Sequence, residues 1–472
     1  MKLIIGAFAC VIIFYLSALK WRRSVKAVFI LLVFEGALRK WVMPQASEMI
    51  YFLKDVILLG AYVNFYGFSS PREKLLSQGG GKIVNLLIFI ASGWCVFQVI
   101  NPSLGSPLVG MFGLRGYLLY IPLIWMIPYL FDSENDLYKF LRSHLLLTIP
   151  CGLIGIVQFF SPHDSFINAY ANEKAVGKAT FGATAAVRIT GTFAYINNYA
   201  LYLIVCFALL LVMLAIKQPR KWQLIAVLEL FLVIINSFMT GSRGTILAEI
   251  LLLVGYLGTK VLTRPGSVVR LLKKLIVPTI IVAIAGFIWF RPAIDAFWHR
   301  TSSNKDVSGR IVLSFIEPFD FIKYKELDGF GTGATHQAAP TIRQVLNLPP
   351  GEVIPTYFEP EMGRVALELG PFGFLFWYGL RVSLIIVLLR TFGNIKTPFL
   401  RELALVAFLI HLVQINGFLV FHPTFVVYYW FLSSFIFLLP RLEEREHWQR
   451  EQQRLQEYVL SSYFSDSSYR ES

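Results

Sequence analysis

Residues 196–216 read INNYALYLIVCFALLLVMLAI and contain no charged side chain. About 20 helical residues are enough to cross the hydrocarbon core of a bilayer. The basic cluster from Lys217 to Lys221 follows directly, and Lys and Arg are enriched on the cytoplasmic side of membrane spans. The stretch therefore predicts a helix that crosses a membrane and ends on the cytoplasmic side.

Similar apolar runs recur along the chain. Of its 472 residues, 56% are hydrophobic and 15% are charged, whereas soluble domains carry about 25% charged residues. The sequence thus predicts an all-α, polytopic membrane bundle of about 12–14 transmembrane helices. Thirteen spans are placed near 2–19, 25–41, 49–67, 82–100, 116–131, 143–160, 196–216, 222–240, 244–262, 275–290, 366–389, 401–421 and 424–440.

Basic residues fall on alternate connections between these spans. The positive-inside rule makes that side cytoplasmic, which predicts a plasma-membrane protein with its N-terminus outside and its C-terminus inside. The clusters are Lys20 to Lys26, Arg72 to Lys82, Lys139 with Arg142, Lys217 to Lys221, Arg264 to Lys274, and Arg390 to Arg401. Topology accounts for the net charge of +14, so nucleic acid is not an expected partner. The four cysteines lie in apolar runs without metal-ligand spacing, and no metal or cofactor is expected.

The chain divides into a transmembrane bundle at 1–440 and a polar cytoplasmic tail at 441–472, which we expect to be a solvated helix that frays. Two connections on the outer side, 161–195 and 291–365, are too long for simple turns. Both contain aromatic residues as well as Gly and charge, which is not typical of disorder. The longer one should be a partly folded outer domain with an amphipathic stretch near 309–327.

Charges inside predicted spans are costly and mark either sites or structural ion pairs, and four in the second and third spans are of interest. Glu35 and Arg39 are four residues apart and share a helix face. Lys54 and Asp55 lie in the next span, which returns antiparallel. An ion network that locks this helical hairpin is the expected structure, with a functional site as the alternative.

Arginines on the outer side run against the charge bias of the topology, and four of them are of interest: Arg188, Arg243, Arg310 and Arg364. A guanidinium binds phosphate oxygens bidentately and keeps its charge when partly desolvated. These four are therefore candidates for binding a diphosphate. Contacts with lipid headgroups or local ion pairs are the alternative.

Candidate catalytic residues lie in and after the longer loop. Glu359 and Glu361 precede Arg364, and the spacing of Glu361, Arg364 and Glu368 places these three on one helix face. His336 lies in the middle of the loop, where a surface position is the alternative. The stretch Gly329–Gly333, GFGTG, could cradle a phosphate, although it lacks the strand–turn–helix context of nucleotide sites. There is no Walker lysine motif and no Asp-x-Asp pair, which argues against ATP or sugar-nucleotide chemistry.

Several short motifs occur in a fixed order between about residue 30 and residue 430. They are EGALRKW at 35–41, followed by Pro44 and the Lys54-Asp55 pair; GTF at 191–193; SRG at 242–244; and ELGPFG at 368–373, after the long loop. Together they resemble the bacterial membrane family of O-antigen ligases and polymerases.

The resemblance implies transfer of a glycan from a polyprenyl-diphosphate carrier at the outer face of the plasma membrane, without a metal. The acceptor would be another lipid-linked repeat or lipid A core, and membrane lipids and other polysaccharide assembly proteins would be partners. Arg243 and Arg310 match family arginines and are assigned the diphosphate. Ligases of the family carry a histidine shortly before the Glu-x-Gly segment, where this chain has Glu359 and Glu361.

That difference favours a polymerase of O-antigen or extracellular polysaccharide over a ligase, with Glu359 or Glu361 as the base. A transporter or flippase of lipid-linked glycans is the alternative of another class. Intramembrane charges would suit such a transporter, but the sequence shows no convincing internal repeat.

Overall fold

The computed structural model describes residues 2–68, 79–171, 179–181, 186–263, 307–325 and 327–468, with scattered positions between 265 and 298. Within these ranges the regular structure is helical, and the extended pairing is limited to an isolated antiparallel bridge between Thr180 and Val187. The predicted all-α class is confirmed.

The first half of the chain forms eight helices. They are α1 (Lys2–Leu19), α2 (Trp21–Ala37), α3 (Ser47–Tyr62), α4 (Gly79–Phe97), α5 (Pro107–Leu118), α6 (Leu123–Met126), α7 (Glu134–Leu145) and α8 (Thr148–Phe160). Local chemistry explains several of their ends. A π-helical turn, Leu38–Val42, prolongs α2 up to Pro44, which cannot continue a helix. The side chain of Ser133 accepts the N–H of Asp136 and caps α7.

The second half adds α9 (Ile196–Ala215), α10 (Arg220–Met239), α11 (Arg243–Thr263), α12 (Val307–Phe321), α13 (Ala339–Val345), α14 (Glu361–Asn394), α15 (Pro398–Val413), α16 (Phe425–Ser433) and α17 (Phe435–Ser468). The amphipathic stretch expected near 309–327 is largely α12. The polar tail expected to be helical continues α17 as far as Ser468.

Eight helices in the described part of the chain are long and apolar enough to cross a membrane, or nine if α16 and α17, bent by 44°, form one broken span. The multi-pass membrane class is thereby confirmed. The predicted span 25–41 corresponds to α2 and the π-helical turn that follows it, which together carry several charges. The predicted span 401–421 contains α15, whose 16 residues extend about 24 Å at 1.5 Å per residue. In the predicted span 2–19, the apolar segment Phe8–Leu19 of α1 is shorter than the other spans. The predicted span 275–290 lies largely outside the described residues, so the count of thirteen stays a prediction.

Helix α9, which contains no charged residue, lies at the centre of the bundle. Its apolar window is 89% buried, against 33–50% for the other seven spans. It packs against α10, α11 and α15. The other spans keep an apolar surface that can face lipid.

The connections gather at two ends of the bundle. We call one the loop end; it carries 98–106, 161–171, 186–195, 327–360 and 414–424. The other is the tail end, where Asp132 pairs with Arg22 at 2.8 Å and with Arg445 of the tail helix at 3.2 Å. Lys26, from the first basic cluster that predicts the cytoplasmic side, also pairs there, with Asp136. Which end faces the cytoplasm stays a prediction.

Helix α14 is broken at Gly370, whose φ of 67° and ψ of −175° are not helical. A positive φ favours glycine, and Pro371 cannot donate a hydrogen bond to the preceding turn. The break leaves a short half, 361–369, at the loop end. Its freed carbonyl groups accept hydrogen bonds from outside: Leu367 from the N–H of Phe330 at 2.7 Å, and Leu369 from the indole of Trp94 at 2.8 Å.

Candidate functional site

The short half of α14 carries the three charged residues predicted to share a face. Glu361 and Glu368 are completely buried, and Arg364 is 6% exposed. Burial of three charges in one helical segment is expensive unless each is hydrogen-bonded or paired. Their partners, which come from several distant parts of the chain, therefore decide what this segment can do.

Glu361 is paired on both carboxylate oxygens. Oε1 accepts from Nη1 of Arg381 at 3.1 Å, and Oε2 accepts the backbone N–H groups of Leu419 at 2.5 Å and Val420 at 2.8 Å. The arrangement ties α14 to the connection between α15 and α16. A buried carboxylate with this set of donors is poorly placed to accept a proton from a substrate, so the contacts favour a structural role over the predicted role of base.

Glu368 and Arg364 meet at Thr335. One oxygen of Glu368 accepts the N–H and the hydroxyl of Thr335 at 2.9 and 2.6 Å, and the other accepts the hydroxyl of Tyr117 at 2.8 Å. Arg364 donates to the hydroxyl and the carbonyl oxygen of Thr335 at 3.1 and 2.7 Å. Its guanidinium lies over the ring of Phe421, 3.4 Å from the centroid. The guanidinium is thus held rigidly with its charge retained.

His336 follows Thr335, the residue to which Arg364 donates both of its hydrogen bonds. Its Nδ1 accepts the N–H of Ala338 at 3.1 Å, so in the neutral ring the proton is assigned to Nε2. Burial, together with the charges of Arg364 and Arg115, lowers the pKa of His336 to about 4. The imidazole is therefore neutral at physiological pH and offers an N–H donor.

The structure adds residues that the sequence reasoning missed. Arg115 lies near His336 and donates from Nε to Asp55 at 2.6 Å and from Nη1 to the hydroxyl of Tyr51 at 3.0 Å. His422 lies near Arg364, and burial followed by that charge lowers its pKa to about 4. Arg115 directly precedes the predicted span 116–131, and a charged residue beside a membrane span could have been recognised from the sequence as a candidate site residue. His422 and Thr335 gave no comparable signal.

The intramembrane charges form the expected ion pairs, with one change of partner. Glu35 binds Arg39 at 3.2 Å and Lys54 at 2.8 Å, which joins α2 to α3. Asp55, in contrast, pairs with Arg115. The cations of Arg39, Lys54 and Arg115 all lie over the ring of one tyrosine, Tyr51, with centroid distances of 5.2, 4.7 and 4.6 Å.

Two of the predicted diphosphate ligands, Arg188 and Arg243, lie in a second group at the turn between α10 and α11. Nε of Arg188 donates to the carbonyl oxygen of Thr240 at 2.8 Å. The turn uses Gly241 at a φ of 63°, and Arg243 begins α11 with its side chain half-buried. Nearby, the buried amine of Lys40 donates to Thr190 at 2.9 Å and to the carbonyl oxygen of Gly191 at 2.7 Å.

The remaining two candidates, Arg310 and Glu359, belong to the connection 291–365. Arg310 belongs to α12, but its side chain falls outside the described part of the structure. Glu359 is exposed just before α14. It is close enough to Glu317 that its charge, after burial, raises the pKa of that carboxyl. Glu359 is therefore accessible to an incoming hydroxyl group in a way that Glu361 is not.

The glycine-rich stretch Gly329–Gly333 does not form the phosphate cradle considered from the sequence. The N–H groups of Phe330 and Gly331 donate to carbonyl oxygens of the broken α14, and that of Thr332 donates to the carbonyl oxygen of Gln98 at 3.2 Å. Glycines with positive φ at 329, 331 and 333 allow this close approach of backbones. The stretch stabilises the break in α14 by donating to carbonyl groups next to it.

Two further features bear on ligands. Among the described residues, no three His, Cys, Asp or Glu side chains converge as a metal site would require. A cavity of about 1310 Å³ lies at the tail end, where Tyr138, Gln218, Lys260 and Glu402 are among its lining residues. It is at the opposite end of the bundle from Arg364 and His336.

No protein-family model matches the chain, and no curated protein matches it either. Membership of the O-antigen ligase and polymerase family is therefore a proposal that rests on the short motifs and on the site described above.

Proposed function

We propose that the protein transfers a glycan from a polyprenyl-diphosphate-linked oligosaccharide to an acceptor hydroxyl group at its loop end, on the outer face of the bacterial plasma membrane. The reaction would polymerise repeats of O-antigen or extracellular polysaccharide. The observation that carries the proposal is Arg364: a guanidinium held by Thr335 in a broken membrane helix, next to the neutral donor His336.

The chemistry needs charge where the diphosphate leaves. As the glycosidic bond breaks, negative charge grows on the phosphate oxygens, and a donor fixed in advance stabilises it without reorganisation. Arg364 is fixed by two hydrogen bonds and retains its charge. Arg188 and Arg243 of the second group remain candidates for the rest of the diphosphate.

The acceptor hydroxyl group must lose its proton. A positioned carboxylate is a suitable base, and Glu359 is the exposed carboxylate on the approach to α14. We assign the base to Glu359 in place of Glu361. The carboxylates at 359 and 361, where ligases of the family carry a histidine, still favour a polymerase over a ligase to lipid A core.

A transporter of the same lipid-linked glycan is the alternative of another class. Its main support was the set of intramembrane charges, but Lys54, Asp55 and Arg381 all have buried partners of opposite charge. Such pairs suit a structural role. The pairing of these charges therefore favours a glycan-transferring enzyme over a transporter.

Purified protein in proteoliposomes can separate these functions. Given lipid-linked repeats and no nucleotide, the enzyme should release polyprenyl diphosphate and lengthen the glycan. Arg364→Lys should slow both processes, because one ammonium cannot replace the forked guanidinium, whereas Lys323→Ala, at an exposed pair on the same end, should not. Movement of the lipid across the bilayer with no lengthening would instead establish the transporter.

A further inference from the structure

We infer that Arg115, Arg364 and His336 together form a binding site for one phosphate group, which we call the three-donor site. The inference rests on the proposed function and deepens it, because it names a guanidinium from α5 as a ligand of the diphosphate. It also makes His336 a hydrogen-bond donor to that phosphate.

Arg115 supplies the first donor. Its Nε and Nη1 are used by Asp55 and Tyr51, but its Nη2 is buried without a hydrogen-bond partner. A buried guanidinium N–H left unpaired costs more than an ordinary lost hydrogen bond. Such a group is well explained by a ligand that supplies the missing acceptor.

Arg364 supplies the second donor. Nε and Nη2 are used by Thr335, which leaves Nη1 without an acceptor among the described residues. The stacking of this guanidinium on Phe421 blocks one of its faces, so a new acceptor must approach Nη1 at the edge. In-plane approach is the geometry that guanidinium–phosphate pairs adopt.

His336 supplies the third donor and lies close to Phe421, the ring on which Arg364 stacks. Its ring contacts Phe112 edge-on, with centroids 4.9 Å apart, and lies 6.4 Å from the ring of Phe421. Both arginines are close enough for their charges to act on it. Since Nδ1 accepts the N–H of Ala338, Nε2–H is the atom left to donate.

The nearby carboxylates do not compete for these donors. Asp55 is already bound by Arg115 and by the hydroxyl of Tyr120 at 2.5 Å. Glu368 is bound by Thr335 and Tyr117, and Glu361 by Arg381. Three donors without an acceptor, beside carboxylates that are already satisfied, point to a ligand with oxygens that only accept. Phosphate oxygens have this property, whether in a diphosphate or in a lipid headgroup.

Binding of inorganic pyrophosphate to the full-length protein in nanodiscs tests the site. Arg115→Lys keeps a cation beside Asp55 and removes Nη2, so the protein should remain folded while pyrophosphate affinity falls at least about tenfold. In protein with ¹⁵N-labelled histidine, pyrophosphate should shift the Nε2–H signal of His336, assigned with His336→Gln. Lys323→Ala is the matched control and should bind normally.

The outcomes are distinguishable. Undiminished binding by folded Arg115→Lys, or an unshifted His336 signal, would overturn the three-donor site even if the protein lengthens glycans. Loss of binding in Arg115→Lys without any glycan transfer by the wild type would leave the site standing and remove the proposed function. If nanodiscs of phosphatidylglycerol abolish the pyrophosphate effect seen in phosphatidylcholine, the site binds a lipid headgroup and its assignment to the diphosphate is wrong.

Discussion

The hydroxyl of Thr335 lies between Arg364 and Glu368, accepting from Arg364 at 3.1 Å and donating to Glu368 at 2.6 Å. Thr335→Val keeps the shape but removes both bonds. We expect it to cost about 1–3 kcal/mol in the free energy of unfolding, the penalty for unsatisfied buried polar groups, and to slow glycan lengthening. Thr335→Ser should restore both properties. Thermal unfolding in detergent and chain-length analysis provide the measurements, and equal behaviour of Val and Ser variants would contradict the bridging role.

The two acids before and at the start of α14 should respond differently to loss of charge. Glu359→Gln should leave stability unchanged and reduce turnover by about 10²- to 10⁴-fold, as loss of a general base does. Glu361→Gln should lower stability, because the buried Arg381 loses its ion partner. Turnover per folded molecule, measured alongside unfolding temperature, distinguishes the two. A fully active Glu359→Gln protein would rule out this base.

In the second group, Arg243→Lys should damage function nearly as much as Arg243→Ala, because the forked donor geometry is lost while the charge is retained. Glycan chain length in cells at matched protein levels is the measurement. Full-length glycans from the Lys variant would show that charge alone is sufficient at this position.

Acid should destabilise the protein through His336. Its pKa is about 4 in the folded protein, against about 6.5 for an unperturbed histidine. Between these values the unfolded chain binds the proton and the folded protein does not, so this contribution to stability is lost as the pH falls from about 6.5 towards 4. The difference in stability between wild type and His336→Gln should therefore shift in favour of the variant over this range. A constant difference would contradict the lowered pKa.

Topology can be tested with reporters that are active only outside the cytoplasm. A fusion after His336 should be active and a fusion after Arg441 inactive, because the alternating basic clusters predict a cytoplasmic tail end. The reverse pattern would place the loop end in the cytoplasm, away from a donor on the outer face.

Short-range patterns in the sequence were enough to predict part of the site. The four-residue spacing of Glu35 and Arg39 predicts their ion pair, and the spacing of Glu361, Arg364 and Glu368 predicts one shared face. Both follow from the pitch of a helix. The apolar run at 196–216 likewise predicts a membrane-spanning helix, which is α9, but its burial at the centre of the bundle was not predicted.

The partners of these residues could not be predicted in the same way. Asp55 binds Arg115, sixty positions away, and Glu368 binds a threonine and a tyrosine from two other segments. No local periodicity encodes such contacts. The stretch GFGTG at 329–333 was ambiguous for a different reason. Glycines with positive φ angles can expose backbone N–H groups to a phosphate, but they also allow two backbones to approach each other closely.

The glycine-rich stretch therefore stabilises the broken helix α14 by donating hydrogen bonds to its carbonyl groups. Phe330 and Gly331 donate to the carbonyl oxygens of Leu367 and Glu368 at 2.7 and 2.9 Å, just before the break at Gly370. If the stretch were displaced, those carbonyls would face an apolar interior unpaired, at roughly 2–7 kcal/mol each. Thr335 is five residues beyond Phe330 in the same segment, so displacing this stretch would also remove the hydrogen bonds that Arg364 donates to Thr335. The stability of the loop 327–360 and that of the short half of α14 thus depend on each other.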